Sequence, residues 1–183
     1  MKKMPFIMPS PRTGIMPKIH DTVFIAPTAV IIGDVTIEEN SSVWFGSVLR
    51  GDIGSIRIGK NVCIQDMVTI HNEEESFVII GNDCTIGHHA MIHGPCIIEE
   101  GCLVGIASNV LHESKLGKGS LLGAGAVLVN KEIPPFCLVV GVPARIKKEI
   151  SKNEPYVGIE PSQSYIENGK AFKVFFEKNP QYL

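Results

Sequence analysis

The 183-residue sequence has no apolar run approaching membrane-span length, so no transmembrane helix is expected. It also lacks any strong excess of one charge. Net charge is −2, and the only dense basic stretch is the short "RIKK" at Arg145–Lys148, which argues against nucleic acid or an anionic membrane as a main partner. The opening "MKKMPFIMPSPRTG" has no apolar h-region and is interrupted by prolines, so no signal peptide is expected and the cytoplasm is the expected compartment. None of the five cysteines (Cys63, Cys84, Cys96, Cys102, Cys137) forms a C-x-x-C pair, and disulfides are not expected in that compartment. Helical periodicity is missing from most of the chain as well.

What replaces it is a beat of six. Branched aliphatics recur at Ile25, Ile31, Ile37, Val43 and Leu49, resume after three extra residues at Ile58, Ile64 and Ile70, and after four more run from Ile80 through Ile86, Ile92, Ile98, Val104, Val110, Leu116 and Leu122 to Leu128. The position four after each aliphatic is mostly small: Ala29, Val35, Ser41, Ser47, Val62, Val68, Cys84, Ala90, Cys96, Cys102, Ser108, Ser114, Ser120 and Ala126, with Ile53, Glu74 and Glu132 as exceptions. Glycine often follows the aliphatic directly, as at Gly59, Gly81, Gly87, Gly105, Gly117 and Gly123. One large and one small inward residue per hexad describe one flat face of a narrow prism, and three faces close a coil that stacks by parallel pairing. The expected fold is an all-β solenoid, the parallel β-helix of hexapeptide repeats, which in proteins with this repeat winds left-handed against the usual crossover rule. The sequence divides into an N-terminal lead-in (1–20), the β-helix (21–143) and a C-terminal segment (144–183). In that last segment Ser162–Lys178 carries Tyr165, Ile166, Ala171, Phe172, Phe175 and Phe176 at roughly helical spacing, predicting an α-helix that Gly169 weakens.

Residues three hexads apart share a face and lie about 4.8 Å apart along the axis. His71 follows Ile70 and His93 follows Ile92, three hexads on, so both take the same outward position on one face. Zinc lies about 2.0–2.1 Å from each imidazole nitrogen, which allows one ion to bridge them. His88, two after Ile86, belongs to the preceding face and points away from that pair. A threefold trimer would lay this face against the neighbour's His71 and His93, making a His₃ site with an open fourth position, which is a catalytic arrangement. Arg50 extends the His71–His93 column, and Asp66 lies one coil before His88 beside Gln65. The same meeting of subunits would pair Arg50 with Asp66.

The stretches "VLRGDIGSIRIGKNVCIQDMVTIHN" and "IGHHAMIHG" resemble the γ-class carbonic anhydrase family, and the likeness runs from about Asp21 to Ile150. The resemblance implies a left-handed β-helix homotrimer with a terminal helix and interfacial metal sites. It implies His71 and His93 of one subunit and His88 of the next as ligands, zinc as the usual ion and iron or cobalt as alternatives. Arg50, Asp52 and Asp66 match the family's interface charges, and Gln65 matches the residue that orients water on the metal. The implied activity is a lyase reaction, reversible hydration of CO₂ to bicarbonate by hydroxide generated on the metal. Three departures bear on turnover: Ile53 stands where active members carry glutamate, Cys63 where they carry asparagine, and the acidic loop is short, with Glu73, Glu74 and Glu75 as the local carboxylates. They imply weak or absent turnover with the metal site kept. An acyl-CoA thioesterase or acyltransferase of the hexapeptide class, and a non-catalytic scaffold retaining the metal site, are the competing readings. His20, His89 and His112 are read as structural or surface residues, Cys84, Cys96 and Cys102 as core, Trp44 as an outward residue buried at an interface or beneath the helix, and Tyr165, which the resemblance loosely matches to a family tyrosine near the metal, is left outside the catalytic set.

Overall fold

A computed structural model describes residues 5–153 and 155–183 of the chain. β-branched aliphatics favour extended backbone, and most hexads form strands of two to four residues, merged into longer ones at Val30–Ile37 and Val48–Ile58, that pair in parallel with the strand one coil further on. Three ladders result, one per face. The first stacks Ile31, Leu49, Ile70, Ile92, Val110 and Leu128. The second stacks Ile37, Ile58, Ile80, Ile98, Leu116 and Ile133, and the third Ile25, Val43, Ile64, Ile86, Val104, Leu122 and Val139. The fold is therefore the expected parallel solenoid of hexapeptide repeats, and the ladders continue past Leu128 with Ile133, one residue short of the beat, and Val139. Nearly every stacked aliphatic is fully buried, so the core is one apolar column running along the axis.

The small positions line the same interior. Ser41, Ser47, Ser108 and Ser120 are buried, and their hydroxyls donate to the carbonyls of Gly59, Gln65, Gly105 and Pro134, which removes the cost of an unpaired buried donor. Cys84, Cys96 and Cys102 are core as expected, and burial pushes the Cys96 thiol up to about 12. Glu74 and Glu132 depart from the inward pattern and are exposed, and Ile53 is half-buried. Ile53 and Glu74 fall in the two insertions, where the chain leaves the prism.

The corners are tight two-residue turns. Most of these turns hold one residue at positive φ, including Asn61, Asp83 and His89 at φ 57, 58 and 58. At Gly87 the constraint is one of space: a Cβ would lie 2.8 Å from the Ile106 nitrogen and the Val104 oxygen of the next coil, so glycine is required just before His88.

Ser162–Lys178 is helical as expected, but the helix begins earlier and spans Ile159–Lys178. It lies on the third face, where Tyr165, Phe172 and Phe176 cover Phe24, Trp44 and Cys63. Gly169 does not break it, because this residue is the closest point of approach, with the site of its missing Cβ 3.0 Å from Phe24 Cβ. Phe6–Met8 and Lys18–Ile19, in the lead-in, pair in parallel with Val30–Ile37. At the other end Arg145–Glu149 runs antiparallel to Cys137–Val140. No helix among the described residues is long and apolar enough to cross a membrane.

Candidate metal centre

The register settles which side chains share a column. Arg50, His71 and His93 are successive partners along the first face. The two imidazoles meet at a centroid distance of 5.5 Å with planes 80° apart. The His71 Nδ1 lies 2.7 Å from the Arg50 carbonyl oxygen. A carbonyl only accepts, so Nδ1 carries the hydrogen and the Nε2 lone pair is left free.

His88 follows the third-face strand Thr85–Ile86 and is held by the coil below. Its Nδ1 is 3.0 Å from Asp66 Oδ2, and its backbone N–H donates to Gln65 Oε1 at 3.1 Å. The other Asp66 oxygen, Oδ1, accepts the Phe45 N–H at 3.2 Å. The carboxylate therefore fixes the ring with Nε2 outward, an arrangement that orients imidazoles for metals and raises their basicity. That Nε2 is 3.3 Å from the Tyr165 hydroxyl, brought over by the helix. Burial, followed by the Cys63 and Asp66 charges, holds the Tyr165 phenol above its usual range, so the hydroxyl acts as a donor to Nε2. Sequence patterning gave no reason to place Tyr165 here, because its position depends on where the helix lands on the third face.

Arg50 and Asp66 do not meet within one chain. Arg50 Nη1 donates to both Asp52 oxygens at 3.0 and 2.8 Å, while Asp66 is taken by His88. Asp52 Oδ1 is also 3.7 Å from His71 Nδ1, adding a negative charge behind that ring. His89 sits at a corner and is exposed, as is His112, and neither joins the column. Trp44 is buried beneath the helix, its indole N–H donating to Ser42 Oγ at 2.9 Å.

Among the described residues, no three His, Cys, Asp or Glu side chains of one chain converge around a metal-sized space. The donor chemistry nonetheless fits a borderline metal ion. His71 and His88 both have Nδ1 tied to an acceptor, which leaves Nε2 as the donor atom, free on His71 and held by the Tyr165 hydroxyl on His88, and imidazole suits zinc and iron. One chain thus presents imidazole donors on two different faces.

The family described as Bacterial transferase hexapeptide (six repeats) matches residues 16–51. The chain is 46% identical over 137 residues to "Probable carbonic anhydrase" of Methanocaldococcus jannaschii, covering 74% of this chain and 86% of that one. It is 33% identical over 172 residues to "Gamma carbonic anhydrase 2, mitochondrial" of Arabidopsis thaliana, covering 86% of this chain but only 62% of the relative's length. The crystal structure of a hexapeptide transferase family protein from Anaplasma phagocytophilum superposes with a TM-score of 0.82 at 32% identity, covering 94% of this chain and 99% of that one. With the repeat, the histidine column and these likenesses together, the chain belongs to the γ-class carbonic anhydrase family of hexapeptide-repeat proteins.

Proposed function

We propose that this protein reversibly hydrates CO₂ at metal sites shared between the subunits of a homotrimer. The observation that carries the proposal is the division of donors between faces: His71 and His93 are stacked on one face, and His88 is fixed by Asp66 on another. Zinc is the expected ion, with iron or cobalt as alternatives. When bound it supplies Lewis acidity and lowers the pKa of water from 15.7 toward about 7. His71 and His93 hold it from one subunit and His88 from the next. Gln65 stands beside His88, its Oε1 taken by the backbone N–H and its amide nitrogen available to orient water. Arg50, which keeps 42% of its side chain exposed despite its bond to Asp52, reaches across to Asp66 of the neighbour. Ile53 leaves the site without a carboxylate at that position, so proton export falls to Glu73, Glu74 and Glu75 and turnover is slow.

The shared site is tested by mixing variants. His88→Ala and His93→Ala, each inactive and poor in metal alone, regain intact sites when co-expressed. In randomly mixed trimers about a quarter of the sites (half times half) take His71 and His93 from one variant and His88 from the other. Metal content and stopped-flow CO₂ hydration would both recover. Absence of recovery would remove the intersubunit assignment. The likeness to a hexapeptide transferase family protein favours acyl transfer or thioester hydrolysis as a second reading. An acyl-CoA assay run beside CO₂ hydration separates the two, and failure in both supports a scaffold.

A further inference from the structure

The first insertion lies inside the strand Val48–Ile58, the strand that also presents Arg50. Its register against Val30–Ile37 jumps from the pair Gly33 and Gly51 to the pair Val35 and Ile56. Residues 52–55 therefore bulge opposite Asp34, and Asp52 loses its ladder partner on that side. Bulges beside sites re-aim side chains, but an unpaired carbonyl has to find another partner.

That partner comes from the N-terminal turn. Ser10 is 2% exposed, and its Oγ donates to the Asp52 carbonyl at 2.8 Å. The same oxygen accepts the N–H groups of Arg12 and Thr13 at 3.1 and 3.0 Å, so the one donor and two acceptor positions of the hydroxyl are all used. The turn closes on itself, with the Ser10 N–H donating to the Ile15 carbonyl and the Gly14 N–H to the Ser10 carbonyl, both at 2.9 Å. Pro9 and Pro11 restrict the backbone on either side of it. A second tether, Arg12 to Glu74 at 2.8 Å, is exposed at both ends and contributes little.

We infer that Ser10 is a positioning residue for the metal centre, acting through the Asp52 carbonyl to fix the carboxylate that holds Arg50 and stands behind His71. The inference rests on the metal-centre reading above. Neither His71 nor Arg50 touches Ser10. The hydroxyl sets where the bulge sits, the bulge sets the Asp52 carboxylate, and that carboxylate sets the field at His71 Nδ1.

The test measures Zn²⁺ affinity of the full chain by chelator competition, together with the thermal midpoint of the metal-free protein. Removing an outer partner of a ligand costs about 10–100-fold in affinity, and Ser10→Ala, one step further out, should cost about 10-fold, while the metal-free midpoint falls by several degrees because three backbone groups lose their partner. Ser10→Thr, which keeps the hydroxyl, should restore binding, and Arg12→Ala should leave it within about twofold. In Asp52→Asn protein, adding Ser10→Ala should weaken binding no further. Equal affinity for Ser10→Ala and wild type, or additive losses in the double variant, would overturn the inference and leave the metal centre standing. Should Ser10→Ala not fold, Ser10→Cys, a weak donor, takes its place with the same expectation. A wild-type protein that binds no Zn²⁺ would overturn both readings.

Discussion

At the scale of single residues, the contact between Tyr165 and His88 links the candidate site to the one tryptophan of the chain. The Tyr165 ring meets Trp44 edge-on at 4.9 Å, while its hydroxyl occupies the His88 nitrogen that a metal would need. A neutral hydrogen bond of this kind is worth about 1 kcal/mol. Tyr165→Phe should therefore bind Zn²⁺ about fivefold more tightly by chelator competition. Zinc titration should change Trp44 emission in the wild type and barely change it in the variant. An unchanged affinity would show that the hydroxyl does not compete for the ring. His71 and His93 were legible in the sequence because three hexads, one full coil, separate them once the four-residue insertion is counted out. The contacts of Ser10 and Tyr165 were not legible from the repeat, because their partners lie 42 and 77 residues away and no local period marks such pairs; for Tyr165 only the family resemblance hinted at a place near the metal.

At the scale of elements, the rungs of the second face are tied by side chains as well as by backbone. Glu99 accepts from Lys115 at 2.7 Å through one oxygen and from the Lys118 N–H at 2.8 Å through the other. The Lys115 ammonium, ahead of the Lys118 contacts, holds the Glu99 carboxyl below the usual carboxylate range. A depressed native value means the unfolded chain binds the proton first as pH falls. The contribution is thus present above about pH 4.3, the unfolded value, and is lost as pH drops through the native value. Glu99→Gln should lower the thermal midpoint at pH 7 only slightly, because the pair is exposed. The gap from wild type should close in strong acid, as scanning calorimetry across pH would show. The ladders were legible because each needs only a short-range period. The start of the helix at Ile159 rather than Ser162 was not. Those first residues are fixed by tertiary bonds, with the Gly158 carbonyl accepting from Thr85 Oγ1 at 2.9 Å and its N–H donating to Gly101.

At the scale of the molecule, the core is a single file, and each rung leans only on the rungs beside it. Ile92 carries His93 and is fully buried between Ile70 and Val110. Ile92→Ala should destabilise the chain by about 2–5 kcal/mol and Ile92→Val by about 1, measured by denaturant unfolding. His88→Ala, whose side chain leaves the prism, should stay close to wild type in the same measurement. If Ile92→Ala cost no more than His88→Ala, the stacked column would not be the principal support of the fold. The solenoid was legible in full outline. The proposed meeting of faces between subunits was legible only as two columns on different faces of one chain.

The reversed strand Arg145–Glu149 has a consequence beyond its own pairing. Parallel rungs at this spacing are the repeating unit of amyloid, and any last rung offers open amides and carbonyls to a further copy. By turning back on Cys137–Val140 and presenting an exposed, lysine-bearing edge, the chain halts a stack that would otherwise have no natural length. The molecule is, in that sense, a fibril with a stop codon of its own making.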